Sequence, residues 1–481
     1  MTTRETDSKL TRRTTLKLGA TGASSALLAA LAGCTGDSGS GSGGDSGDGG
    51  GDDAGGSDGD SSGGSSGDLV TKNRIGSADA STTLTHWLLP TASHTQEDNP
   101  EHAKVYEEFF ETWAENHSDT KIELEYQTNL EQMKTKLLQS AAKGNAPSMS
   151  QVDSFWVPNF TDHLQPVTDA IENPDDWYPF VKDVMVKDGE WQAVWKNTDC
   201  RALYYRQDMM DKYNDGNPPE TWDELISVGK SITENEDMAG YMYNGGKWEA
   251  TTFDNLALFW AQGGDLVDDQ GNPVLDESGN KEALRNTFEF LKRTIDSGIT
   301  PKRVANINDY ALLRQAALND ETAMFLGGNW QISNIKQQVD SEEEAENWQV
   351  SKIPQMDPDT ASTGTGGWTV GVFEQDDAKR SAATDYAGLF TDKENMGEFC
   401  KVGGYLPTRK SVFEEVSYFS EDPYMQTFKQ LLKNGRARPG YPIYLTISSE
   451  WQTAAGKVIT GQASPEAAIE TMIQNVNAEA E

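Results

Sequence analysis

The chain has 481 residues, with 77 Asp and Glu against 40 Lys and Arg, a net charge of −37 and a pI near 4.4. The acids are spread along the chain rather than gathered in a tail, which excludes nucleic acid and an anionic membrane surface as partners, since both demand basic patches. Even acidity of this kind matches proteins of salt-loving organisms, whose carboxylates keep the surface hydrated while salt screens their mutual repulsion.

The opening reads as an address and a tether. Arg12 and Arg13 in TRRTTLK look like a twin-arginine export signal. Leu18 to Ala32 has the length of a signal-peptide apolar region and falls short of the roughly 20 residues a transmembrane helix needs. Leu31-Ala32-Gly33-Cys34 resembles a lipoprotein processing box, so 1–33 is expected to be removed and Cys34 to carry lipid as the attachment to the membrane. Residues 34–78 are expected to form a linker. Within it, 35–68 holds no Lys, no Arg and no large apolar residue, and such a run cannot offset its ordering entropy. As a Gly-rich coil its mean reach is roughly 30 Å.

About 400 residues remain, enough for two domains. LTHWLL at 84–89 reads as a buried strand. EHAKVYEEFFETWAEN places Val105, Phe109 and Trp113 at fourfold spacing beside Tyr106 and Phe110, an amphipathic helix. KIELEY alternates Ile122, Leu124 and Tyr126 as a second strand, and a helix from about Leu130 to Lys143 follows. Strand, helix, strand, helix implies a parallel α/β sheet with right-handed crossovers. Further on, Thr221 and Glu224 form a capping box, and Leu225, Val228 and Ile232 are the inner stripe of its helix. GDLVDDQGNPVLD is a turn or hairpin that lacks the ligand pattern of a calcium loop. Ser464-Pro465 opens the last helix. Cys200 and Cys400 are expected as free, buried thiols. The five histidines show no metal spacing, so no metal or cofactor is expected. Asn116 and Asn159 begin glycosylation sequons.

The motifs DSFWVPNFTDHLQPV, GEWQAVWKNTDCRALYYRQDMMDKY, PPETWDEL, ETAMFLGGNW, GGWTVGVF, GGYLPTRK and VITGQASPEAAIE follow in order. Together they resemble the extracellular solute-binding proteins of family 1, in a haloarchaeal-like form, which serve ABC importers of sugars. The resemblance spans about 80–480. It implies a two-lobed α/β, periplasmic-binding-protein-like fold (type II) with the ligand cleft between the lobes. Lobe one would be 79–198 with 370–405, and lobe two 199–369 with 406–481. Its implied partners are a sugar, the permease subunits and their ATPase, with the protein itself a monomer.

A pyranose offers apolar C–H faces for aromatic rings and a rim of hydroxyls for polar groups. Asp153 and Trp156 follow a predicted strand, where α/β clefts place ligands; an N-cap and a core Trp are the competing roles. The resemblance implies that Asp199 meets sugar hydroxyls at the first crossover, with an Asp199–Arg201 hinge ion pair as the alternative. Trp330 closes GGNW, and the resemblance implies that it stacks on sugar. Gly366 and Gly367 would let ligand approach the backbone beside a stacking Trp368. Trp248, Tyr405 and Tyr444 complete the candidate site, with Arg409 weaker. An exported glycoside hydrolase would need a carboxylate pair, which an acidic chain always offers. A glycerol-phosphate ester or polyol is the alternative ligand, with Arg201 as the phosphate partner. A surface lipoprotein that binds without feeding a transporter is the third alternative.

Overall fold

The computed structural model describes residues 69–89 and 100–481. The Arg12–Arg13 pair, the processing box with Cys34 and the Gly/Ser/Asp run to residue 68 lie outside the described residues. Strands β1 (Val70–Thr71) and β2 (Arg74–Ile75) form a hairpin, and β2 pairs antiparallel with β4 (Thr120–Tyr126), setting Ile75 against Ile122. The expected linker to residue 78 therefore ends about ten residues early. Val70 and Ile75 are buried, and these apolar side chains give the hairpin a core to join that the Gly/Ser/Asp run lacks.

The first sheet grows from β3 (Thr82–Leu88), β4 and β5 (Met149–Asp153). Both β4 and β5 lie parallel to β3, joined through helices Pro100–Asn116 and Leu130–Ala142. Along β4, Ile122 and Leu124 are buried while Glu123 and Glu125 are exposed, the period-two pattern of a half-buried strand. The first helix buries Tyr106, Phe109, Phe110 and Trp113. A hairpin of β6 (Val186–Lys187) and β7 (Glu190–Trp191) leads to β8 (Val194–Trp195).

The chain then crosses over. The second sheet is built on β9 (Asp199–Arg206), which pairs antiparallel with β10 (Met324–Gly328), β11 (Trp348–Ser351) and β12 (Thr363–Gly366). After a single residue, β13 (Trp368–Val372) returns to the first sheet between β5 and β8, and β14 (Gly435–Ala437) closes the second sheet parallel to β12. The first sheet runs β1-β2-β4-β3-β5-β13-β8 and the second β10-β9-β12-β14, with β11 also on β9. A third crossing is pinned to the first where the backbones of Thr198 and Leu406 exchange hydrogen bonds of 2.7 and 3.0 Å.

Residues 406–413 were expected with the second lobe, yet they stay on the first. Arg409 pairs with Asp176 at 2.7 Å, and the Phe413 ring meets that of Tyr178 edge-on. The capping box is also shifted by one residue: Thr221 Oγ1 accepts from the Glu224 N–H at 3.2 Å, but Glu224 reaches back to the N–H of Glu220 at 2.8 Å. Cys200 on β9 and Cys400 in helix Lys393–Gly403 are both free and buried.

Candidate ligand-binding site

All three crossings open onto one cavity of about 620 Å³ between the sheets. Asp153 reaches it from the end of β5, Asn197 and Asp199 from the first crossing, Gly367 and Trp368 from the second, and Gly404 and Tyr405 from the third. The second sheet's side supplies Arg201 on β9, then Trp248, Glu249 and Phe253 from the start of helix Glu249–Trp260. Tyr310 and Trp330 each open a further helix there.

Two guanidinium centres organise this space. Arg201 Nη1 donates to Asp199 Oδ1 at 2.8 Å and Nε to Asp254 Oδ1 at 2.5 Å. Asp254 also accepts from Asn244 at 2.6 Å and from the Tyr310 hydroxyl at 2.7 Å. Burial pushes the Asp254 carboxyl up from its ordinary value, while Arg201 and the hydrogen-bond donors pull it back. Arg438, one residue beyond β14, donates to Asp153 at 2.8 Å and to Glu249 at 3.2 Å. Asp153 belongs to the first sheet and Glu249 to the second sheet's side, so this centre bridges the cleft. Burial pushes the Asp153 carboxyl up to about 6; Arg438 opposes that shift, and Glu249 and Asp199 add to it. Both guanidiniums lie over the Phe253 ring, Arg201 at 3.9 Å and Arg438 at 4.0 Å, and Arg438 also covers Phe155 at 3.9 Å.

Aromatic rings form the apolar part. Tyr310 meets Trp248 at 4.9 Å and Trp330 at 5.0 Å between centroids, both near edge-on. Asn329 holds this wall to the third crossing: its Oδ1 accepts from the Cys200 N–H at 3.2 Å and its Nδ2 donates to the Gly404 carbonyl at 2.8 Å. Among the described residues, three sealed polar atoms on cavity-lining side chains have no partner: Asn197 Oδ1, an acceptor, and Trp248 Nε1 and Arg438 Nε, both donors.

Of the residues expected from sequence, Asp153, Asp199, Arg201, Trp248, Trp330, Gly367, Trp368 and Tyr405 line this one cavity. Trp156, Gly366 and Tyr444 do not. Trp156 is sealed in the core under Lys134, whose ammonium lies 5.3 Å from the ring centroid. Tyr444 is equally buried and donates to Glu249 Oε1 at 2.6 Å, so it orients a lining carboxylate from behind. Gly366 makes room for Arg438: a Cβ there would stand 2.7 Å from Nη2. Gly367 has φ +139°, and a Cβ on it would fall 2.0 Å from the Asn197 carbonyl oxygen. The glycines of GGNW serve space rather than a turn, because the Trp330 ring lies where a Gly328 Cβ would be. Arg201 already pairs with two carboxylates, Asp199 through Nη1 and Asp254 through Nε.

The model of the bacterial extracellular solute-binding proteins matches residues 108–427. The chain belongs to that family. Among solute-binding relatives, a probable ABC transporter-binding protein of Deinococcus radiodurans is 22% identical over 353 residues, covering 69% of this chain and 80% of the relative. The arabinooligosaccharide-binding protein of Halalkalibacterium halodurans is 27% identical over 222 residues, 44% of this chain and 48% of the relative. Among solved structures, an ABC transporter solute-binding protein from Thermotoga lettingae TMO bound with α-D-tagatose has a TM-score of 0.68 at 25% identity, covering 83% of this chain and 100% of that one.

In this solute-binding protein, sequence reasoning missed Asn197, Glu249, Phe253, Tyr310 and Arg438. Asn197 lies two residues from Asp199 at a crossing already singled out, so proximity could have found it. Arg438, in RARPGYP, carries no motif and meets Asp153 only because β14 runs beside β12.

Proposed function

We propose that this protein captures a sugar, a mono- or oligosaccharide, outside the cell and delivers it to an ABC importer permease by closing its two lobes around the ligand. The observation that carries this reading is the pairing, in one cavity, of a connected aromatic wall (Trp248, Tyr310 and Trp330) with the carboxylates Asp153, Asp199 and Glu249. Rings suit the C–H faces of a pyranose, and carboxylates accept from its hydroxyls. Sugar-binding names among the relatives support the same reading. Ligand contact with both lobes favours the closed form, and the permease reads that shape.

Titration with mono- and oligosaccharides and polyols in molar salt tests it, read by tryptophan fluorescence and small-angle scattering. One class should bind and compact the protein, and Trp330→Ala should weaken that binding by about 1–3 kcal/mol without unfolding it. Release of cleaved sugar during the titration would point instead to a glycoside hydrolase. Failure of all sugars alongside tight binding of a peptide or a metal chelate would overturn the ligand class.

The proposal places the folded part at the outer face of the cytoplasmic membrane, exported through the twin-arginine route and held by lipid at Cys34. The order of Arg12–Arg13, the apolar run and Leu31-Ala32-Gly33-Cys34 supports it. Cys34→Ser should release a folded protein into the medium; retention on membranes after a carbonate wash would put the anchor elsewhere.

A further inference from the structure

We propose that the cleft selects by charge: it takes uncharged and amino sugars and rejects sugars that carry a phosphate or a carboxylate. This rests on the sugar reading above and narrows it. Among the described residues, the cations that line the cavity are Arg201 and Arg438. Each already meets two carboxylates, Arg201 with Asp199 and Asp254, Arg438 with Asp153 and Glu249. The exposures decide which sign faces the ligand. The side chains of Arg201 and Arg438 are each 3% exposed, whereas those of Asp199, Asp153 and Glu249 are 14%, 15% and 25% exposed. Arg438 Nε has no partner and is sealed from solvent, and Arg201 bonds its two carboxylates through Nη1 and Nε.

A ligand entering the cavity thus meets carboxylate oxygens and aromatic rings. An anion would find both guanidiniums already outnumbered by carboxylates and would face like charges in a site of low dielectric. Recruiting Arg201 would mean breaking a buried pair and leaving a carboxylate without its partner. An ammonium group meets the opposite situation, with carboxylates to pair and the Trp248, Tyr310 and Trp330 rings to face.

The test is calorimetric titration of the full folded chain with three classes of probe, at two salt concentrations in which it stays folded. Maltose, arabinobiose and cellobiose are the neutral probes, the deacetylated glucosamine disaccharide the amino probe, and glucose 1-phosphate, sn-glycerol 3-phosphate and cellobiouronic acid the anionic ones. At least one neutral probe should bind. The amino probe should bind as tightly or more tightly, and the anionic probes at least tenfold more weakly, with the gap narrowing as salt rises. Glu249→Gln, which leaves Arg438 with one carboxylate, should cut the discrimination against anions at least threefold. Asp199→Asn should do the same through Arg201 if the first variant fails to fold.

Anionic probes binding within threefold of the neutral ones would overturn the charge rule and leave the sugar reading standing. So would an amino probe bound tenfold more weakly than its neutral counterpart. Binding of sn-glycerol 3-phosphate alone would overturn both. Silence from every class would remove the sugar reading and, with it, the charge rule.

Discussion

The two walls of the cleft handle charge differently. On the five-stranded side, Arg201, Asp199, Asp254 and Glu249 are partnered within their own lobe, and Tyr310, Asn244 and Ser448 complete the hydrogen bonds. On the seven-stranded side, the counter-ion of Asp153 among the described residues lies across the cleft, in Arg438. Behind Asn197, the buried Lys196 meets the Tyr106 hydroxyl at 3.2 Å and the rings of Tyr106, Phe390 and Phe399, with no carboxylate among the described residues within salt-bridge range. A wall whose charged groups are paired within itself is fixed before ligand arrives. A wall whose charges depend on the other lobe, or have no counter-ion, responds to closure and to pH. In the proposed closure, the first supplies the fixed side of recognition and the second couples recognition to movement.

The sharpest way to break this contrast is to unbalance the rigid wall. Asp254→Ala removes one carboxylate from a fully buried guanidinium and strands the Tyr310 hydroxyl and Asn244 as well. It should cost about 3–5 kcal/mol of stability, read as a fall in the denaturant midpoint at unchanged slope. A loss under about 1 kcal/mol would mean that the network is not preformed.

Lys196 tests the other wall. Burial pushes its ammonium down from 10.5 to about 7, with Cys400 opposing slightly. A lysine lowered on folding leaves the unfolded chain holding more protons between those values. Stability therefore rises with pH from about 7 to 10.5, and the cost is full below 7. Lys196→Met keeps the volume and removes the charge. It should stabilise the protein by as much as ~4 kcal/mol below neutral pH, with the gain vanishing at high pH. A pH-independent difference between variant and parent would rule out titration at this site.

Asp153 has the opposite slope. Its carboxyl is raised by burial from 3.8 to about 6, so the folded state holds the extra proton between those values. Stability falls as pH rises through that window, and the cost is full above about 6. Asp153→Asn should erase that slope, worth about 3 kcal/mol at most. Protonating Asp153 also removes its ionic hold on Arg438, so scattering of the ligand-free protein should show a more open form below about pH 5 than at pH 7 in the parent and not in the variant. Identical profiles for the two would sever Asp153 from closure.

How far these contrasts could be read beforehand depends on the range of the forces involved. The strand and helix pattern of 84–143 was legible because it rests on local periodicity, and Ile122, Leu124, Phe109 and Trp113 are buried as expected. Motifs at the crossings were legible only through the family resemblance, which implied where the chain changes sheet and so which of Asp199, Gly367, Trp368 and Tyr405 come to the join. Trp156 and Tyr444 misled because a tryptophan or tyrosine in a ligand-proximal motif reads the same whether it faces the cavity or lies one layer behind it. Arg438 was invisible. Its partner Asp153 lies 285 positions earlier in the chain, and only the pairing of β14 with β12 brings them together.

The smallest effect concerns the tryptophans that line the cavity from its two sides. Trp330 on the rigid wall is held by Tyr310 at 5.0 Å and by the Arg201 guanidinium, also at 5.0 Å. Trp368 on the responsive wall is only partly buried and has no ring contact or side-chain hydrogen bond among the described residues. Ligand must therefore order the Trp368 side chain, at a cost of about 0.5–1.5 kcal/mol that Trp330 has already met on folding. Both rings can gain similar stacking energy, so the difference should appear in the net. Trp368→Ala should weaken sugar binding by about 1 kcal/mol or less, below the loss from Trp330→Ala. The fluorescence change on binding should behave in the reverse way, because Trp368 is the ring whose surroundings alter most. Trp368→Phe should remove most of the signal while nearly preserving affinity measured by calorimetry. If Trp330→Phe instead abolished the signal and Trp368→Ala cost the larger share of affinity, the rigid and responsive walls would have to be exchanged.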